Sequence, residues 1–179
     1  MTQTASKRSQ AFRLHSAAMT AEELIARVQR TVEKLLDEVE TLPRDVLYRE
    51  PSQGEWPVMS TLAHLAELLP FWAHEAADLA ASPGKQVGRT HEDPDRLGAI
   101  EQHRNDSLGA TVPRIRTALN QCVATLRAIP EEGWRAAGPH VRGGQVTAAE
   151  LVERFVVRHA EDHASQIHAT LEVLRTAKT

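Results

Sequence analysis

Thr147–Leu174 reads TAAELVERFVVRHAEDHASQIHATLEVL, and its spacing decides the fold class. It opens with Thr147-Ala148-Ala149-Glu150, a Thr-x-x-Glu capping box in which each side chain satisfies an orphan N–H of a helix start. Val152, Phe155, Val156, His159, His163, Ile167, Thr170 and Leu174 follow, in steps that line up one face of an α-helix. A half-buried strand would alternate with period two, and nothing in this stretch does.

Three further segments read the same way. Thr20-Ala21-Glu22-Glu23 is a second capping box, followed by Leu24, Val28, Val32, Leu35, Val39 and Leu42 on one face before Pro43 stops the run. Arg27, Arg30, Lys34, Asp37 and Glu38 mark its solvated side. After a polar connector, Arg44 to Glu55, Pro57 suits a helix first turn because its missing N–H would be unpaired anyway. Leu62, Leu65, Leu69, Trp72, Ala76 and Leu79 form the stripe of this second segment, and Pro70 should kink it by removing the bond to the Ala66 carbonyl. A third segment starts near Asp95 and carries Leu97, Ile100, Leu108, Ile115, Leu119, Val123 and Leu126, with a kink or break expected around Gly109 and Pro113. No strand is expected. Four amphipathic helices around one core make an all-α, four-helix bundle. The connector Ser82 to Pro94 is long for a turn between antiparallel neighbours and permits a crossover between the second and third helices. The expected division is a flexible tail over 1–19 and one bundle domain over 20–176.

The 179 residues suit one domain, with 41% hydrophobic and 25% charged residues. Cys122 is the sole cysteine, so no internal disulfide is possible, and its place between Leu119 and Leu126 marks it as packing. A net charge of −3 without a basic patch argues against nucleic acid. The most apolar stretch, Thr61 to Ala81, contains His64, Glu67, Glu75 and Asp78, so a membrane partner is not expected. No secretory signal is visible, and a cytoplasmic protein is expected.

Chemistry enters through the 9 histidines. His159 and His163 lie one helical turn apart on the buried stripe, and His64 sits among Leu62, Leu65 and Leu68 on the second helix. They read either as core histidines satisfied by neighbours or as a set that holds one metal and leaves a position open. A zincin is excluded because Ala160 stands where its glutamate belongs. A ferritin-like di-iron site is excluded because no Glu-x-x-His occurs. Glu67 and Asp162 are candidates to orient a ligand or act as a base. Arg104 is a candidate contact for an anionic substrate. Trp56 and Trp72 read as core. His168 faces away from the pair, and His15, His74, His91, His103 and His140 read as surface residues.

Gly54-Glu55 and Trp56-Pro57-Val58-Met59-Ser60-Thr61-Leu62-Ala63-His64-Leu65 resemble the second-helix motif of the DinB/YfiT-like superfamily. Ile129-Pro130-Glu131-Glu132-Gly133-Trp134, Thr147 to Glu150, and His159-Ala160-Glu161-Asp162-His163-Ala164-Ser165-Gln166-Ile167 resemble that family's ending. The resemblance runs from about Thr20 to Leu174. It implies an up-down-down-up bundle and one divalent metal, zinc or nickel, on His64, His159 and His163. It also implies a homodimer and a small-molecule substrate. Members with known activity are thiol-dependent transferases or isomerases using a low-molecular-weight thiol, and some are labelled metal-dependent hydrolases. No catalytic residue is singled out. The alternative is a non-catalytic bundle that binds a metal or small ligand as sensor or scaffold.

Overall fold

The computed structural model describes residues 19–176, so apart from Met19 the expected tail lies outside the described residues. Helix α1 spans Ala21–Val39, α2 Arg44–Leu47, α3 Val58–Ala81, α4 Pro94–His103 and α5 Leu108–Arg127. The last helix is one continuous rod in three pieces: α6, Ala148–Val152; a π-helical turn, Glu153–Val157; and α7, Arg158–Thr176. Both expected capping boxes form, with Thr20 and Glu23 bonded reciprocally at the start of α1 and Thr147 and Glu150 at the start of α6.

The apolar stripes meet in one core. Val28, Val32 and Leu36 of α1, Leu62, Leu65 and Leu69 of α3, Ile115 and Leu126 of α5, and Val152 and Val156 of the last helix are all fully buried. Each such side chain contributes about 1.5–3 kcal/mol of transfer free energy, which holds the helices together without covalent links. Side-chain pairs fix directions. Arg27–Glu161 and Glu38–His168 match the start of α1 to the start of α7 and their later turns to each other, so the two run parallel. Arg116–Glu40 and Arg127–Glu22 make α5 antiparallel to α1. Trp72 on Phe155 and His64 on His163 make α3 antiparallel to the last helix.

Three expectations need correction. The connector Arg44 to Glu55 contains α2, which buries Leu47. The third segment is two helices, broken at Arg104 to Ser107 and not at Pro113. Ser107 caps α5 by accepting from the Ala110 N–H, and Asp106 takes Arg114 and His103, so side chains here compete with the helical ladder. Pro113 is carried inside α5 and Pro70 inside α3, each at the loss of one backbone bond. The connector after Pro130 is not strandless: Ala137–Pro139 (β1) pairs antiparallel with Gln145–Thr147 (β2).

That hairpin anchors the crossover. Gly84 N–H donates to the Ala137 carbonyl, Val87 N–H to Pro139, and Val141 N–H to Val87, so residues 84–87 run beside β1. Gly138 makes the approach possible, since a Cβ there would lie 2.3 Å from the Lys85 carbonyl oxygen. The crossover is therefore held against the bundle just before it delivers Arg89 and Arg96.

Candidate metal centre

His64, the seventh residue after the α3 proline cap, and His159 and His163, on the first two turns of α7, converge in the bundle. Each offers one ring nitrogen, and these nitrogens all lie within 4.8 Å of one another. Ring centroids are 5.4 Å apart for His64 and His159, 5.0 Å for His64 and His163, and 4.7 Å for His159 and His163. His64 is 1% exposed and His163 9%, while His159 is half-buried. The π-helical turn lies immediately before His159, and its wider winding buries Phe155, Val156 and Val157 in succession.

Satisfied core histidines would have partners on both nitrogens. Here both ring nitrogens of His64 and Nε2 of His163 are buried without a hydrogen bond. Each orphaned buried group costs on the order of 1–3 kcal/mol. Burial, then the mutual charge of the other histidines and of Arg96, pushes His159 down to about 3. Burial and His64 push His163 down to about 4, against the opposing hydrogen bond to Gln166. His64 is lowered too, chiefly by burial. Neutral imidazole with a free lone pair is the form that ligates a metal, so the residues fit such an ion.

The fold and this geometry agree with the family comparison, in which the DinB superfamily matches residues 24–167. The chain belongs to the DinB superfamily. YfiT from Bacillus subtilis, described as "a probable metal-dependent hydrolase with an unusual four-helix bundle topology", superposes with a TM-score of 0.72 at 15% identity, over 88% of this chain and 91% of that one. The mycothiol-dependent maleylpyruvate isomerase superposes with a TM-score of 0.63 at 15% identity over 83% of this chain, which spans only 61% of the isomerase. A Streptococcus pneumoniae protein gives 0.63 at 15% identity, over 87% and 92% of the two chains. No curated protein matches the chain by sequence.

Around the histidine set the structure adds a polar shell. Gln166 Oε1 accepts from His163 Nδ1–H at 3.0 Å, which leaves Nε2 as the inward nitrogen. Glu67 Oε2 lies 3.3 Å from His64 Nδ1, too oblique for a full hydrogen bond. Glu67 is held on its other side by a bidentate pair with Arg89, at 2.5 and 2.6 Å, and the Arg89 guanidinium lies 3.8 Å from the centroid of Phe71. Burial alone would raise the Glu67 carboxyl, but His64 and Arg89 more than offset it and hold it below the ordinary range.

Trp56 is half-buried, with its ring edge-on to His64 at 5.7 Å and the Arg96 guanidinium over its other side at 5.6 Å. It forms a wall of the site as well as of a cleft of about 380 Å³ shared with Ser60, Leu97 and Ile100. A second cleft, about 220 Å³ between α1 and α7, has none of the three histidines in its wall. Ligand geometry, not cleft size, locates the chemistry here.

Other sequence candidates fall outside the centre. Asp162 is exposed, and Arg104 is exposed and paired with Glu101. His168 is bonded to Glu38 on the surface. Trp72 is core, 4% exposed. Cys122 is fully buried and its thiol is pushed up to about 12, so it is inert. His140 corrects the sequence reading: it is 8% exposed, stacked on Phe155 at 5.0 Å, and not a surface residue. His15 lies outside the described residues. Sequence reasoning missed Arg89 and Arg96, both in or next to the Gly- and Pro-containing crossover. Their one visible signal is a pair of arginines seven apart in a connector too long for a simple turn.

Proposed function

We propose that His64, His159 and His163 hold one divalent ion, zinc or nickel, and that the protein is a metal-dependent enzyme acting on a small molecule. The observation that carries this reading is the convergence of three nitrogens within 4.8 Å while buried imidazole nitrogens of His64 and His163 lack any partner. Three neutral nitrogen donors with a position left open make a catalytic rather than a closed structural site. Such an ion lowers the pKa of a bound thiol or water toward neutrality. The chain's own residues set the geometry. Gln166 fixes the His163 tautomer, Glu67, clamped by Arg89, sets a carboxylate 3.3 Å from His64 Nδ1, and His159 is the most exposed of the three.

Thiol transfer is the first reading, with hydrolysis second. Cys122 cannot supply the sulfur, because it is buried and its thiol is pushed up to about 12. A thiol reaction therefore uses an imported low-molecular-weight thiol, as in the mycothiol-dependent enzyme of the same fold. The hydrolase reading rests on the description of YfiT. The test is metal content of untagged protein beside a His159→Ala/His163→Ala variant. About one equivalent in the parent and little in the variant supports the site. No metal in either after reconstitution with zinc and nickel overturns it. Conjugation of a chlorodinitrobenzene-type electrophile with added thiols then separates transfer from hydrolysis, and no thiol-dependent rate above the metal-free control removes the transferase.

A further inference from the structure

Glu67, Arg89, Asp93 and Arg96 form a charged group on the α3 and crossover side of the histidine set, and they are not equally occupied. Glu67 and Arg89 neutralise each other through two short bonds, and Asp93 sits 3.7 Å from Arg89. Asp93 also accepts the backbone N–H of Arg96. The Arg96 guanidinium itself makes one hydrogen bond, from Nη1 to the His91 carbonyl oxygen, and no carboxylate of the described residues lies within 4.0 Å of it. It is half-buried, laid over Trp56, whose other contact is His64. Its field reaches all three histidines, each of which it disfavours in the charged form.

A guanidinium in this position has four unused N–H donors and a fork geometry that matches a carboxylate. Charge arithmetic points the same way. Glu67 and Asp93 balance Arg89 and Arg96, the three imidazoles are neutral, and Asp162 adds one negative charge that reaches His163, so a divalent ion would leave the site net positive. An anionic ligand offsets that excess, and Arg96 is the cation placed to meet a carboxylate on it.

We propose that Arg96 binds a carboxylate carried by the small molecule that occupies the site, so that the ligand presents one anionic donor to the histidine-held ion and one carboxylate to Arg96. This assignment rests on the metal reading above and narrows the substrate class to carboxylate-bearing molecules. It also moves the anion contact expected of Arg104 to Arg96, which is free where Arg104 is paired with Glu101. Trp56 is the platform that holds the guanidinium flat, through a cation–π contact that an ammonium would not reproduce.

The test uses cobalt-loaded full-length protein and two thiols that differ in one group, 3-mercaptopropionate and 2-mercaptoethanol, with binding read from the cobalt absorption bands. The parent should bind the acid at least tenfold more tightly. Arg96→Gln should take up cobalt as the parent does and bring the two affinities to within about twofold, with Arg96→Lys between. A preference that survives Arg96→Gln overturns the assignment, as do equal affinities in the parent together with acrylate binding that Arg96→Gln leaves unchanged. Adding acrylate to protein already holding 2-mercaptoethanol tests the other source of the carboxylate. Arg96 dependence for mercaptopropionate alone places it on the thiol, and for acrylate alone on the electrophile. If the parent takes up no cobalt, the metal reading fails by itself. Propionate titration of the metal-free protein, read by intrinsic tryptophan fluorescence, then decides Arg96 separately. A saturable change in the parent that Arg96→Gln abolishes supports the carboxylate contact, and its absence overturns it.

Discussion

Replacing Arg89 by methionine should destabilise the metal-free protein by about 3 kcal/mol, and the structure says why the figure is bounded on both sides. Arg89 is 7% exposed and its partner Glu67 15%, so the pair is shielded from solvent. Removing one member of a buried pair typically costs about 3–5 kcal/mol, because the other charge is left uncompensated. Glu67 can escape by taking up a proton. From an ordinary value of 4.5, that costs about 3.4 kcal/mol at pH 7, at 1.36 kcal/mol per unit, which caps the electrostatic loss. Methionine keeps most of the contact with Phe71 and loses the cation–π part, about 0.5–2 kcal/mol. For a chain of this size a loss of about 3 kcal/mol lowers Tm by roughly 6–12 °C. The second arm is Glu67→Met/Arg89→Met, which replaces the pair with apolar groups and should recover most of the stability. Metal affinity should not recover, since Glu67 steadies His64 and loss of such a partner costs about 10–100-fold. Urea unfolding of chelator-treated protein at pH 7, beside zinc titration, reads both quantities. A single variant that loses less than about 1 kcal/mol, or a double variant no more stable than the single one, refutes the buried-pair reasoning.

Asp106 gives a pH-dependent prediction. Hydrogen bonds from Arg114 and then His103 hold its carboxyl below the ordinary value of 3.8, so its stabilisation is present above that value and lost as pH falls through the lower folded-state value. Asp106→Asn should therefore lower the urea midpoint at pH 7, and the gap to the parent should narrow as pH falls below about 4; a gap as wide at pH 2 as at pH 7 contradicts this. Thr147→Ala removes the capping hydroxyl and should cost about 1 kcal/mol, measured by thermal unfolding; Thr147→Ser should restore it. Cys122 should resist a water-soluble disulfide reagent at pH 8 in the native state and react stoichiometrically in denaturant, and fast native-state labelling would contradict its burial.

What the sequence made legible is what local spacing controls. A capping box needs two side chains three residues apart, and both boxes formed where Thr20 and Thr147 predicted them. A helical stripe needs only a repeat of three and four, so most of the core could be read from Leu24 to Leu174. The features that escaped are too short for a periodic signal or depend on tertiary contact. Each strand of the hairpin is three residues long, below any alternation test. The break at Arg104 to Ser107 was placed at Pro113 instead, because proline is the louder local signal while the cap at Ser107 and the side-chain bonds of Asp106 decide the outcome.

The same division runs through the centre. His159 and His163 share a helix face by arithmetic, so the sequence itself pairs them; His64 joined them through its apolar flanks and the family resemblance, and only the packing of α3 against the last helix brings its ring within 5.0 Å of His163. Arg89 and Arg96 had no comparable signal. An arginine on a connector is solvated unless the chain's path buries it, and that path is set here by backbone bonds from residues 84–87 to β1 and by a glycine at 138 that lets the two segments touch. The buried guanidinium of Arg89 is therefore a consequence of the hairpin that the sequence reading left out. Once Arg89 is committed to Glu67, Arg96 is the cation beside the histidines that has no carboxylate in contact. An unread hairpin thus leads, by its hold on the crossover, to the one guanidinium over Trp56, beside His64, that no carboxylate of the described residues meets.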